Sequence, residues 1–113
     1  MAKGNFAVLT IGVFAAGAIG QNRAVTMSGA VAAAGGNAIG FSNTAAAAAG
    51  ERVPVTALGT ALAVAGGAIA LGAAVEVGAS GKVVTKAAGV AVGRALTAAA
   101  ADGEQIEVLV IPN

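Results

Sequence analysis

The sequence predicts an all-β protein, and three observations predict it. First, large apolar residues recur two apart: Val25 and Met27, Val53 and Val55, Leu62 and Val64, Ile69 and Leu71, Val75 and Val77, Val90 and Val92, then Ile106, Val108 and Val110. Two positions along a helix turn the side chain by about 200°, so no apolar stripe forms, whereas on a strand both side chains share one face. Arg52, Pro54, Glu76 and Glu107 fill the gaps, as a solvent face requires. Second, 18 glycines punctuate the 113 residues. Each would cost a helix interior about 1 kcal/mol relative to alanine, and they fit turns between strands of about five residues. Third, the chain aligns with itself.

In that alignment "GNAIGFSNTAAAAAGERVPV" (36–55) lies without a gap over "GVAVGRALTAAAADGEQIEV" (89–108). Gly36, Gly40, Thr44, Gly50, Glu51 and Val55 fall on Gly89, Gly93, Thr97, Gly103, Glu104 and Val108, and Ile39 and Val53 meet Val92 and Ile106. Upstream, with small insertions in the second copy, "GAI" (17–19), "AVTM" (24–27) and "SGAV" (28–31) meet "GAI" (67–69), "AVEV" (74–77) and "SGKV" (80–83). Two tandem repeats of about fifty residues in one domain are expected, the first about 8–57 and the second about 58–111. Equivalent β units sharing one core make a small sandwich or barrel.

Taken in order, "NFAVLTIGVF" (5–14) is the most hydrophobic stretch containing aromatic residues. It reads as a core strand or as a strand lent to a neighbouring subunit. Thr44 and Thr97 stand as N-caps before alanine runs, and Gly50 and Gly103 are placed to end those runs in the left-handed conformation, so a short helical turn is expected after each threonine. Val53 and Val55 then occupy the same repeat positions as Ile106 and Val108, which keeps the inward face the same in both copies.

Two membrane-related readings compete with this one. The start, with Lys3 followed by "FAVLTIGVFAAGAIG", has the outline of a signal peptide, but part of it matches an interior segment. The uncharged run from Val53 to Val75 is long enough to cross a bilayer. Against a span stand Pro54 at its start and Gly59, Gly66, Gly67 and Gly72 along it. The GxxxG spacings at Gly36/Gly40 and Gly89/Gly93 would suit membrane helices, yet Arg94 follows the second at once, so both read as strand glycines. A small membrane proteolipid with Glu76 as an intramembrane carboxylate is the alternative, and a self-assembling fibre or surface subunit is a third reading.

The residues offer little chemistry. Net charge is +1 with no basic cluster, so neither nucleic acid nor a membrane surface is an expected partner. With no Cys and no His, thiol chemistry, zinc fingers and imidazole bases are excluded. "GASGKVV" (78–84) imitates a phosphate loop, but its first glycine is too close and Val83 replaces the metal-binding hydroxyl; a hairpin turn explains it. Asp102, Glu104 and Glu107 form an acidic trio read as solvated charges rather than a cation site. Ser80 and Lys82 flank a turn with nothing to make them a dyad. The expectation is no catalytic residue, no cofactor, no metal and no enzyme.

Several ordered segments carry a resemblance: "VPV…LGTA" (53–61), "AGGAIALGAAVEV" (65–77), "GKVVTKAAG" (81–89), "VGRAL" (92–96) and "ADGEQIEVLVIPN" to the end, with "AVTMSGAVAAAGGNAIGFSNTAAAAAGE" in the first half. From about Arg23 onward the chain resembles the capsid cement, or head decoration, proteins of tailed bacteriophages. The resemblance implies an all-β fold, no catalytic residues, and a place in the virion on the outer face of the capsid, reached from the host cytoplasm during assembly. It implies the major capsid protein as partner and self-association, a homotrimer before a dimer, that clamps neighbouring capsid subunits. No motif carries contact residues, so the apolar N-terminal residues Phe6, Val8, Leu9, Ile11 and Phe14 are taken as the capsid or oligomer interface.

Overall fold

A computed structural model describes residues 6–111. Lys3, the charge that begins the leader-like segment, and Asn5, which opens the first apolar stretch, lie outside them. Period-two alternation becomes strand along much of the chain: β1 (Ala7–Phe14), β2 (Ala24–Val25), β3 (Gly40–Ser42), β4 (Arg52–Val64), β5 (Ala74–Val77), β6 (Val83–Thr85), β7 (Gly93–Ala95) and β8 (Gln105–Val110). One sheet holds them all in the order β2-β3-β4-β8-β7-β5-β6, with β1 also paired to β4, and the paired strands run antiparallel. The all-β expectation therefore holds, in its barrel form, because the sheet curls until it nearly closes.

Register shows how the curl is built. β1 lies along the first part of β4, with Val13 opposite Val53 and Ile11 opposite Val55. β8 lies along the second part, with Ala63 opposite Ile106 and Ala61 opposite Val108. These positions match in the alignment of the chain with itself, so the later part of β4 stands to β8 as β1 stands to the earlier part. The matching extends to single hydrogen bonds. Ile19 N donates to Ala46 O as Ile69 N does to Ala99 O, and Ala15 N to Glu51 O as Ala65 N to Glu104 O. The donors Ala16 and Gly66 also correspond, but their acceptors differ, Gly29 O in the first half and Val83 O in the second.

Two bodies of core result. One is Val13, Ala15, Ile19, Val25, Ala46, Val53 and Val55, with Ile11, Val31 and Ile39 half-buried against it. The larger is built mainly from the second half, including Ile69, Val75, Val83, Val92, Ile106 and Val108, but it also takes in Ala24, Ala32, Ala38 and Phe41 from the first.

Three local expectations are corrected. No helical turn follows Thr44 or Thr97. Each segment instead makes an isolated bridge, at Ala46 and Ala99, before a turn that reaches Gly50 or Gly103. The glycines do take positive φ, 90° and 92°. The amides meant for a helix are held by carboxylates reaching back: Glu51 accepts from Ala47 N and Ala48 N, and Glu104 from Ala100 N and Ala101 N. Bridging to Ile19 or Ile69 offers each alanine run a strand partner that a single isolated helical turn lacks. Nor is Glu107 solvated. It is buried, with Leu62 beside it across the strand pair and the Leu96–Thr97 segment hydrogen-bonded to its backbone on the other side. In β4, Leu62 and Val64 are only half-buried, while Ala61, Ala63 and Ala65 fill the core. The "GASGK" turn joins β5 to β6 as expected, around a single 3-10 turn at Ala79–Gly81.

Candidate interaction surface

β1 is held on one edge by β4. Its alternation puts Val13 into the core, and its first residues run past the point where the sheet can cover them. Phe6 and Val8 are 73% and 75% exposed, and Leu9 and Phe14 are exposed too. The register slips around Leu9, so that Ala7 meets Gly59 and Leu9 meets Leu58. Backbone bonds still fix the strand's start: Phe6 N donates to Thr60 Oγ1 at 2.9 Å, and Thr60 N to Phe6 O at 3.1 Å. These are large apolar groups on an ordered edge, where an incoming chain finds both side chains and unpaired backbone.

The five sequence-selected residues do not form one patch. Leu9 and Ile11 stand in the wall of an apolar groove of about 440 Å³, opposite Met27, Ile39, Ala57 and Leu58. Phe14 lies at the far end of β1, where the Arg52 guanidinium sits 5.6 Å from its ring centroid. Phe6 and Val8 project beyond the groove lining. Ile11 is half-buried against the first-half core, so it shapes the groove more than it presents itself. Met27, Ile39 and Leu58 went unselected by sequence reasoning. Ile39 carried a signal, since it matches Val92, but nothing local to Leu58 sets it apart from its neighbours.

The polar groups serve the loops. Asp102 pairs with Lys82 at 3.0 Å on the surface. The Glu76 carboxylate accepts from the amides of Ala87 and Gly89, and those two bonds, with nearby Lys86, hold its pKa below the ordinary carboxylate value. A lowered pKa means that this stabilisation is complete above the usual carboxylate range and is lost as pH falls through the lowered value. Melting temperature should therefore separate wild type from Glu76→Gln at neutral pH, with the gap closing in acid. A gap constant into acid would show that the loop does not depend on the charge. Among the described residues, no group of three or more His, Cys, Asp or Glu gathers in metal-binding fashion. No helix among them is long and apolar enough to cross a membrane.

Fold and surface together define a small β module whose most prominent feature is an exposed apolar edge. A family profile described as phage cement protein matches residues 2–110, and the chain belongs to that family. It is a structural protein of the phage capsid with a decorating role, and its place is the virion. The fold is shared with the solved structure of the head fiber gp8.5 N base in bacteriophage phi29, at a TM-score of 0.75 and 17% identity, over 91% of this chain and 93% of that one. No curated protein matches the sequence.

Proposed function

We propose that this protein stabilises the outer surface of the capsid by bridging neighbouring major capsid protein subunits, as a homo-oligomer, a trimer before a dimer. The contact edge is the β1 set: Phe6, Val8, Leu9, Ile11 and Phe14. No catalytic step is involved, and the protein reaches the head from the host cytoplasm during assembly. In this reading the chain is one domain of two tandem units, about 8–57 and 58–111, and the hydrogen bonds repeated at matched positions support it.

The exposure of large apolar side chains at the start of β1 carries the proposal. A ligand that binds only the expanded, assembled shell stabilises that shell by mass action, and an oligomer touching several subunits at once multiplies modest contact energies. The test is electron microscopy of purified protein added to undecorated expanded heads, beside bare heads. Wild type should add density at symmetry axes, and the double variant Phe6→Asp, Leu9→Asp should lose it. A double variant that decorates heads normally removes β1 from the interface, and wild type that adds no density removes the function.

A further inference from the structure

We infer that copies of this protein associate head to tail, the second half of one copy seating on the apolar groove of the first half of the next. The contact repeats between molecules what the two halves make within one. It deepens the oligomer reading above by naming its two surfaces.

Within the chain, cross-strand pairing lines up Ala24, Phe41 and Thr56 as one row over β2, β3 and β4. All three are buried, Phe41 to 1% exposure. Ala24 and Phe41 share their core with Val77, Val92 and Val110 of the second half, which are buried as well. The row is one face of the contact between the halves, and those valines are the other.

Each face has a counterpart left open. The row that matches Ala24, Phe41 and Thr56 is Ala74, Arg94 and Leu109, lined up in the same way over β5, β7 and β8. Among the described residues this row is much less covered: Ala74 is half-buried, Arg94 is exposed, and Leu109 is 42% exposed. The residues that match Val77, Val92 and Val110 are Met27, Ile39 and Ala57, three of the groove-lining side chains. Met27 is 74% exposed, and Leu58 beside it is exposed too. The molecule therefore carries a free copy of each face of a contact it already makes. Two different faces that fit each other give a heterologous interface, which closes into a ring when the rotation allows.

The open row departs from the buried one in a way that suits a contact between molecules. Arg94 replaces Phe41, and its guanidinium donates to Gly72 O at 3.0 Å, so its methylene stem can lie on the groove while the charge stays at the rim. Leu71 and Leu96 stand exposed on the same half, where the first half has Gln21 and Asn43. At these matched positions the second half is apolar where the first is polar.

The test is sedimentation velocity of the full chain in solution, without heads, over a concentration series. Wild type should sediment as an oligomer. Leu58→Glu, which spoils the groove, and Leu109→Glu, which spoils the row, should each sediment as a monomer while keeping the wild-type far-ultraviolet spectrum; both side chains are exposed, so folding should survive. Mixed together, the variants should form a one-to-one dimer and nothing larger, because each supplies the face the other lacks. Monomeric wild type, two variants that keep the wild-type mass, or a mixture that stays monomeric would each overturn the inference. So would a Leu58→Glu oligomer of normal mass that no longer decorates heads, which would assign the groove to the capsid. Because the readout needs no heads, its failure leaves capsid attachment standing.

Discussion

Gly40→Ala is expected to remove about 4 kcal/mol or more of stability, at the far tail of single substitutions, while Gly50→Ala removes about 1 kcal/mol. Both change glycine to alanine in the first half, and space separates them. A Cβ on Gly40 would collide with the Thr56 carbonyl oxygen, 2.8 Å from its carbon and 2.9 Å from Val55 Cγ1. Those atoms belong to β4 at the centre of the sheet, where Phe41 is paired with Thr56, so neither side can withdraw without breaking the ladder. At Gly50 a Cβ meets nothing within 4 Å, and only the positive φ of 90° resists the change. Urea unfolding of both variants checks the contrast. The melting temperature of Gly40→Ala should fall by roughly 15–25 °C if it folds at all. Equal losses would mean that β3 does not approach β4 as closely as the fold requires. The matched glycines should behave alike, since a Cβ on Gly93 would stand 2.5 Å from Leu109 O and one on Gly103 in open space.

Phe41→Ala should cost about 3–5 kcal/mol, the range for emptying a large buried aromatic site. Phe41 is the largest fully buried side chain, and although it lies in the first half it belongs to the core built mainly from the second. Its removal should therefore weaken the hold of one half on the other as well as the sheet. Hydrogen exchange followed beside urea unfolding reads both effects. Amides around Gly35 and Val77, whose backbones are bonded across the halves, should lose protection with the global transition. A loss under about 1 kcal/mol would show that the site collapses onto the gap and that Phe41 does not join the halves.

Much of the β framework is legible along the chain. The pairs Val53/Val55, Val75/Val77 and Ile106/Val108 lie in the core as their spacing requires, since alternation is a local property of an extended backbone. Other pairs are half right: Val25, Ile69 and Val92 are buried, whereas Met27, Leu71 and Val90 are exposed. Those three lie outside the strands, Met27 and Leu71 in turns and Val90 in irregular backbone, where alternation no longer sets burial. β4 inverts the expected rule. Leu62 and Val64 look the stronger core candidates, but Ala61, Ala63 and Ala65 point inward. Ala63 and Ala61 meet Ile106 and Val108 across a tightly curled sheet, where small residues opposite large ones fill the space. Glu107 misled in the same way, because its charge marks a solvent face only while nothing packs over it.

The contact surface was less legible than the fold. Leu9 and Ile11 could be selected because they are apolar near one end of the chain, but the groove they help to form needs Met27, Ile39, Ala57 and Leu58 from three other segments. Phe14 shared their stretch of sequence and ended on Arg52 instead.

By itself, the sequence determined the class: short strands set by apolar pairs, turns set by glycine, and the ordered segments that place the chain among phage cement proteins. The tertiary structure alone decided which of two matched faces is covered, burying Phe41 and Val77 while leaving their counterparts Arg94 and Met27 exposed. The reason is that spacing along a chain fixes which side chains point together, whereas burial depends on what stands opposite, and only the curl of the sheet supplies that.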